Sequence, residues 1–329
     1  MAVNLPLRIA VLGNTTDIAL RYSFRSTIKV AWVWTRICYP PVVDFFDVAV
    51  PSSYPNPSDY DLIVLSGGTV DGIYGREPER ALQILIEFNN AYTYLHKVKA
   101  RFAHQPGFIN RFLETIQMAQ GQAKTQPEIH AQLTRLLHTA PDLVQDLGHL
   151  FTPSQLNGQA NTSPHMWIMK LRVFVRTVVE KNRKLVGIGW GHHIICLSFV
   201  GGTIQRINSA EPDRTRLSLT ERGCKLFPWF RKWGRCMWLH EFHRHEITNH
   251  LSPFVSLAYG SKAFVSESNK IMTIQGHPEL NQYAVMAVLR ATPEYRAGDA
   301  RRNWQLIMKM KDPGDGTRVW ERILKWATE

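Results

Sequence analysis

The sequence predicts an α/β fold, a largely parallel sheet with helices on both faces, interrupted by an all-helical insertion. Three observations carry this reading. Short apolar runs end in glycine turns at Gly13, Gly67-Gly68, Gly189 and Gly276, the pattern of buried parallel strands whose C-terminal ends border a site. One run passes through a tight turn straight into a helix, Gly187-Ile188-Gly189-Trp190-Gly191. From Glu77 to about Phe151 no strand pattern is present, and apolar residues recur at helical spacing instead.

Taken in order, Leu7 to Leu12 is an apolar run closed by Gly13, a buried strand feeding a loop. Pro40-Pro41 punctuates the chain before a second strand, Val42 to Val50, and the Ser/Pro/Asn-rich stretch Pro51 to Tyr60 breaks it. Tyr60 to Leu65 forms the third strand, ending at Ser66-Gly67-Gly68. The insertion follows. Leu82, Leu85, Phe88, Tyr92 and Leu95, then Ile129, Leu133, Leu136 and Leu137, then Leu143, Leu147 and Leu150 mark apolar helix faces, divided by Pro106, Pro127 and Pro141. Leu185 to Ile188 is the fourth strand, and the helix Trp190 to Phe199 stops at Gly201-Gly202. Ile271 to Gln275 is a further strand, leading into Gly276-His277-Pro278-Glu279. The chain thus reads as one domain over 1–329 carrying a helical insertion at 77–151.

Composition bounds the function. Hydrophobic residues are 44% and charged residues 20% of 329, which excludes wholesale disorder. The four cysteines form no CxxC pair and read as reduced thiols of a cytoplasmic protein. The first dozen residues lack the charged-then-apolar pattern of a signal peptide. The most apolar window, Leu185 to Ile204, contains His192, His193 and several glycines and does not read as a membrane span. The net charge of +12 is scattered, without a basic tail or a nucleic-acid-binding signature. It reads as a solvated surface, so neither nucleic acid nor membrane is expected as a partner.

Three motifs carry chemistry. The strand–turn–helix elbow at Gly189 projects position 189 into a cleft beside backbone amides of the helix start, Trp190 among them. His277 and Glu279 follow a strand two residues apart, as a base and its orienting carboxylate would. Gly67 and Gly68 follow another strand, where small residues leave amides free to face an oxyanion.

On these residues the sequence resembles class I glutamine amidotransferases, whose elbow reads G-[IV]-C-[FW]-G-H-Q, whose His/Glu strand end reads Q-[GA]-H-P-E, and whose oxyanion strand reads [IL]-S-G-G. It looks most like the stand-alone amidotransferase-like proteins of fungi, which share a Glu241-Phe242-His243 strand and a tail like Asp312-Pro313-Gly314-Asp315-Gly316 with Trp326 near the end. The resemblance covers residues 1–75 and 165–329 and implies a flavodoxin-like sheet and a Cys-His-Glu triad.

Two departures redirect the function. Gly189 stands where the family has its nucleophilic Cys, and His193 stands where the family has a substrate-holding Gln. Without a side chain at 189 no thioester with glutamine can form. Cys196 lies seven residues on, about 10 Å down the helix, and cannot substitute. His277 and Glu279 match the family's base and orienter. Position 193 is i+4 from 189, so His193 is expected to face the same cleft as a second imidazole. The expected activity is therefore proton transfer or hydrolysis on another small molecule by His277 and Glu279, with His193 as a further candidate. The vacated Cys position is expected to enlarge the cavity, and with the apolar wall that a helical lid would add it suggests a substrate larger and less polar than glutamine. The fungal resemblance implies specialised-metabolite biosynthesis. The competing reading is a non-catalytic protein that binds a metabolite or a protein partner.

His243 is expected to line the pocket. The cluster His240-Glu241-Phe242-His243-Arg244-His245-Glu246 spreads its ligand types over both faces of a strand, so no metal is expected, and no other cofactor. Phe227-Pro228-Trp229-Phe230 reads as a packed corner. The inserted helices must bury their apolar faces as a lid over the cleft or as a homodimer contact.

Overall fold

The computed structural model describes residues 5–13, 18–66, 94–95, 97–120, 126–148, 166–199, 204–206, 212–243, 245–248, 254–292, 295 and 299–329. In chain order the strands are β1 (Arg8–Gly13), β2 (Val42–Asp47), β3 (Leu62–Ser66), β4 (Lys184–Ile188), β5 (Ile204–Arg206), β6 (Asp213–Ser218), β7 (Cys236–Glu241), β8 (His245–Ile247), β9 (Phe254–Ala258), β10 (Ala263–Ser266) and β11 (Ile271–Ile274). The chain divides into two compact units, residues 1–82 with 165–329, and residues 83–164.

The first unit is built on a seven-stranded sheet in the order β2-β1-β3-β4-β11-β10-β9. β1 pairs in parallel with β2 and β3, β3 with β4, and β4 with β11. β10 then runs antiparallel to both β11 and β9. The expected parallel sheet is present and carries an antiparallel edge that the sequence reading did not anticipate. β6 and β7 form a separate antiparallel pair, as do β5 and β8.

Side-chain alternation explains the two helical layers. Ile9, Val11, Leu62, Val64, Val186 and Ile188 join one buried cluster with Phe24 and Ile28 of the helix Ile18–Val33 and with Val319, Trp320, Ile323 and Leu324 of the helix Gly316–Ala327. Phe24 and Trp320 meet edge to face at 5.9 Å. The alternate residues Ala10, Leu12, Ile63, Leu65 and Leu185 are equally buried on the other face. There the helices Met166–Glu180 and Trp190–Phe199 pack against β4. Further helices are Glu221–Leu226, Pro228–Arg231, Gln282–Ala291 and Ala300–Met310. Asn281 caps Gln282–Ala291 by accepting from the Ala284 amide, and Asp299 caps Ala300–Met310 by accepting from the Arg302 amide.

Register positions the site. Ser66 of β3 lies opposite Ile188 of β4, and Ile188 lies opposite Ile274 of β11. The ends of three parallel strands therefore stand in one row. β2 is shorter than expected, ending at Asp47, whose carboxylate accepts from the Ala49 amide and turns the chain. Likewise β7 stops at Glu241, so the expected strand through His243 is broken before β8 resumes at His245.

The second unit contains the helices Pro106–Gln120, Gln126–Leu136 and Pro141–Gly148. Pro106 and Pro141 each occupy the first helical position, where the missing N–H is no loss. Tyr94, Val98, Phe102, Phe108, Phe112, Ile129, Leu133, Leu137, Leu143 and Leu147 form its own core. The Phe102 and Phe108 rings stack at 3.7 Å, and the Tyr94 hydroxyl donates to the Leu143 carbonyl. Leu82, Leu85, Phe88 and Tyr92, expected on helix faces, lie outside the described residues, as does Leu150. Among the described residues no helix is long and apolar enough to cross a membrane.

Candidate functional site

The elbow forms because its glycines permit two things that side chains forbid. Gly189 has φ +55°, a left-handed conformation, and its amide donates to the Ile274 carbonyl of β11. Gly191 packs so closely on β3 that a β-carbon there would lie 1.9 Å from the Leu65 carbonyl oxygen. The helix Trp190–Phe199 can then rise directly from β4 against the sheet.

β11 delivers the other half. After Ile274 the chain turns, and the His277 amide donates to the His240 carbonyl of β7, fixing the imidazole. His277 Nδ1 lies 2.8 Å from Glu279 Oε1. The Glu279 backbone carbonyl accepts from Ser23 Oγ at 2.5 Å and Thr27 Oγ1 at 3.2 Å, tying the segment to the helix Ile18–Val33. Glu279 is fully buried. A carboxylate on Nδ1 keeps that nitrogen protonated and leaves Nε2 as the basic atom. The Phe242 ring lies edge-on to the imidazole, with centroids 6.1 Å apart.

The structure thus brings Gly189, His277 and Glu279 together. A β-carbon built on Gly189 would lie 2.5 Å from His277 Cε1 and 2.7 Å from Nε2. The imidazole therefore occupies the space a nucleophile would need. This differs from the sequence expectation that the missing side chain widens the cavity. The ring rests on the bare backbone, and the gain in room is taken up by the base itself.

His193 is buried, and its Nε2 pairs with Gln275 Oε1 at 2.9 Å. Burial, with His245 nearby, pushes its pKa down to about 3, so the ring stays neutral near pH 7. Trp190 is half-buried at the helix start. Gly67 and Gly68 lie outside the described residues; Ser66, just before them, is buried at the end of β3. Burial raises the Cys196 thiol far above its ordinary value, leaving it protonated and unreactive.

His243 accepts from Lys262 Nζ at 3.0 Å, and the same ammonium lies 3.3 Å from Glu241 Oε2. Burial and the Lys262 charge push His243 down to about 2. Burial raises Glu241, an effect that Lys262 partly offsets. His243 lines a cavity with Glu241, Lys262, Thr215 and Lys309, among whose lining residues neither Gly189 nor His277 appears. Lys262 escaped the sequence reading because a lone Lys after the Gly260 turn carries no motif. Among the described residues no group of three or more His, Cys, Asp and Glu is placed to hold a metal.

These histidines set a pH dependence. His192, His193, His240 and His243 all have folded pKa values below their unfolded ones, with His193 at about 3, His240 at about 4 and His243 at about 2. Between the unfolded pKa near 6.5 and those values the unfolded chain binds more protons, so stability falls as pH falls. Glu241, raised by burial, opposes this with one proton only. The urea midpoint is expected to drop clearly between pH 7 and pH 5; a constant midpoint would show that these rings are solvated.

No protein-family profile matches the chain. The chain is 25% identical over 167 residues to the glutamine amidotransferase-like protein chyE of Penicillium rubens, covering 50% of this chain and 68% of that protein. A stretch of 61 residues, 18% of this chain, is 44% identical to the transcriptional regulatory protein SIN3 of Saccharomyces cerevisiae and spans 4% of that protein. Among solved structures, a glutamine amidotransferase of Thermotoga maritima superposes with TM-score 0.53 at 11% identity, covering 99% of this chain and 100% of that one. The fold is that of class I glutamine amidotransferases, and the sequence likeness is to the fungal amidotransferase-like proteins.

Proposed function

We propose that this glutamine amidotransferase-like chain no longer hydrolyses glutamine and acts as an enzyme on another small molecule, using His277 Nε2 as the proton-transferring atom and Glu279 to orient it. One observation carries the reading. The 2.8 Å His277–Glu279 pair is intact and aimed at Gly189, where the nucleophile is missing. Loss of that nucleophile leaves general acid–base chemistry available, such as isomerisation, elimination or attack by water. His193, held neutral against Gln275, serves this reading as a positioning residue. The resemblance to fungal stand-alone proteins supports a setting in specialised-metabolite biosynthesis. A substrate larger than glutamine would have to displace or skirt the His277 ring.

A second reading is a non-catalytic protein that binds a partner. The 61-residue likeness to a transcriptional regulatory protein favours it. Complementing a strain that lacks the chain separates the two. Under the first reading His277→Ala abolishes formation of the product that the wild-type chain restores, and its precursor accumulates in the metabolite profile. A His277→Ala, Glu279→Ala double variant that restores the full profile would leave only the second.

A further inference from the structure

Two arginines one turn apart on the helix Gly316–Ala327 have different fates. Arg322 is fully used: its Nε donates to the Leu226 carbonyl at 2.6 Å, and its two terminal nitrogens hold the Glu329 carboxylate at 2.8 and 3.0 Å. Arg318 instead lies between two indoles, 5.2 Å from the Trp34 ring centre and 5.3 Å from that of Trp229. Among the described residues its guanidinium makes no hydrogen bond or ion pair. Asp315, one turn earlier, attracts it but accepts its hydrogen bond from the Trp238 amide.

The clamp is held from three sides. Trp34 follows the helix Ile18–Val33, which packs on the helix Gly316–Ala327, and its amide donates to the Ala31 carbonyl. Trp229 belongs to the short helix Pro228–Arg231, which is anchored by the buried rings of Phe227 and Phe230. The Arg322–Leu226 bond ties that corner to the helix carrying Arg318. The corner expected to be packed thus buries two of its aromatics but leaves Trp229 47% exposed, as Trp34 is at 46%. A lone exposed apolar side chain needs no explanation, whereas two indoles joined through a cation form a continuous patch.

The surroundings carry one sign of charge. No acidic residue occurs from Trp34 to Pro41 or from Phe227 to Cys236, while Arg36, Arg231 and Lys232 in those stretches are exposed. A second copy of this chain, at net charge +12, would bring like charge against Arg318. A guanidinium held between two rings with its N–H groups spare is instead suited to grip a planar carboxylate through two parallel hydrogen bonds.

We propose that Trp34, Arg318 and Trp229 form a docking site for an acidic peptide segment of a partner protein, in which an Asp or Glu stands next to an apolar residue. The guanidinium donates two hydrogen bonds to the carboxylate, and the apolar side chain packs on the exposed indole surface. Two indoles around one fork suit a single carboxylate with an apolar neighbour, whereas a phosphate backbone calls for a longer row of cations. The site uses neither His277 nor Glu279.

Panning a phage-displayed library of random dodecapeptides against the full chain tests this. Enriched peptides are expected to carry an Asp or Glu beside an aliphatic or aromatic residue. In fluorescence anisotropy their synthetic forms are expected to bind the wild-type chain and to lose affinity by about tenfold or more in Arg318→Met and in Trp229→Ala. Both positions are exposed, so the urea midpoint should stay close to that of the wild type. Arg318→Lys keeps the charge without the fork and is expected to fall between wild type and Arg318→Met. No enrichment, enriched peptides without a carboxylate, or equal binding to Arg318→Met would overturn the proposal. So would a dimer in analytical ultracentrifugation that Trp229→Ala dissolves, or cosedimentation with phosphatidylserine vesicles lost in the same variants, since each gives the patch to another occupant. The readout is binding without turnover, so neither result bears on the His277–Glu279 chemistry.

Discussion

Incubated with glutamine, the protein releases no ammonia above background in a coupled assay. Removing the attacking member of such a catalytic unit costs on the order of a millionfold in rate, and Gly189 offers no atom to replace it. Restoring the thiol alone is expected to help little, for three separate reasons. The β-carbon of Gly189→Cys would lie 2.5 Å from His277 Cε1, so the imidazole must move away from where Glu279 holds it. The backbone at φ +55° penalises a side chain by roughly 1–2 kcal/mol. His193, paired with Gln275, stands at the position expected to hold the substrate. Steady ammonia release from the unaltered chain, abolished by His277→Ala, would refute the loss of glutaminase activity. Full activity in Gly189→Cys would show that the His277 ring yields freely.

Gly191→Ala is expected to destabilise the fold more than any other single methyl addition near the elbow, by more than about 3 kcal/mol. The added carbon would sit 1.9 Å from the Leu65 carbonyl oxygen and 2.6 Å from its carbon, both backbone atoms of a central strand. No rotamer change can relieve that contact, so the helix Trp190–Phe199 must lift off β3. Gly107→Ala is the control: nothing lies within 4 Å of a β-carbon there, and alanine in a helix is favoured by about 0.5–1 kcal/mol. A shared urea midpoint for the two variants would mean that the elbow is less tightly packed than this account requires.

Most of the parallel sheet was readable because buried parallel strands write themselves as unbroken apolar runs closed by glycine. β1, β3, β4 and β11 all do so, and the helix Trp190–Phe199 falls where the elbow pattern puts it. The antiparallel edge was not readable. β10 is four residues long, and β9 and β10 announce neither a glycine-closed run nor a chemical motif. Within the site, the His277–Glu279 spacing revealed its pair, since two residues apart beyond a strand leave little freedom. The i+4 spacing from Gly189 puts His193 on the helix Trp190–Phe199 but does not reveal Gln275 as its partner, because that contact joins residues 82 apart in the chain. The filling of the Gly189 space by His277 is likewise a packing outcome. A missing side chain in the sequence marks lost chemistry, not an open volume.

The central claim is that the elbow has lost its nucleophile and kept its base. Exposure to a diazoketone analogue of glutamine, followed by intact mass measurement, tests it most directly, since such reagents alkylate an activated nucleophile in a glutamine site. The mass is predicted to remain unchanged, with Cys196 buried and protonated and position 189 bare. One equivalent of adduct, prevented by excess glutamine and mapped to the peptide spanning 184–199, would contradict it.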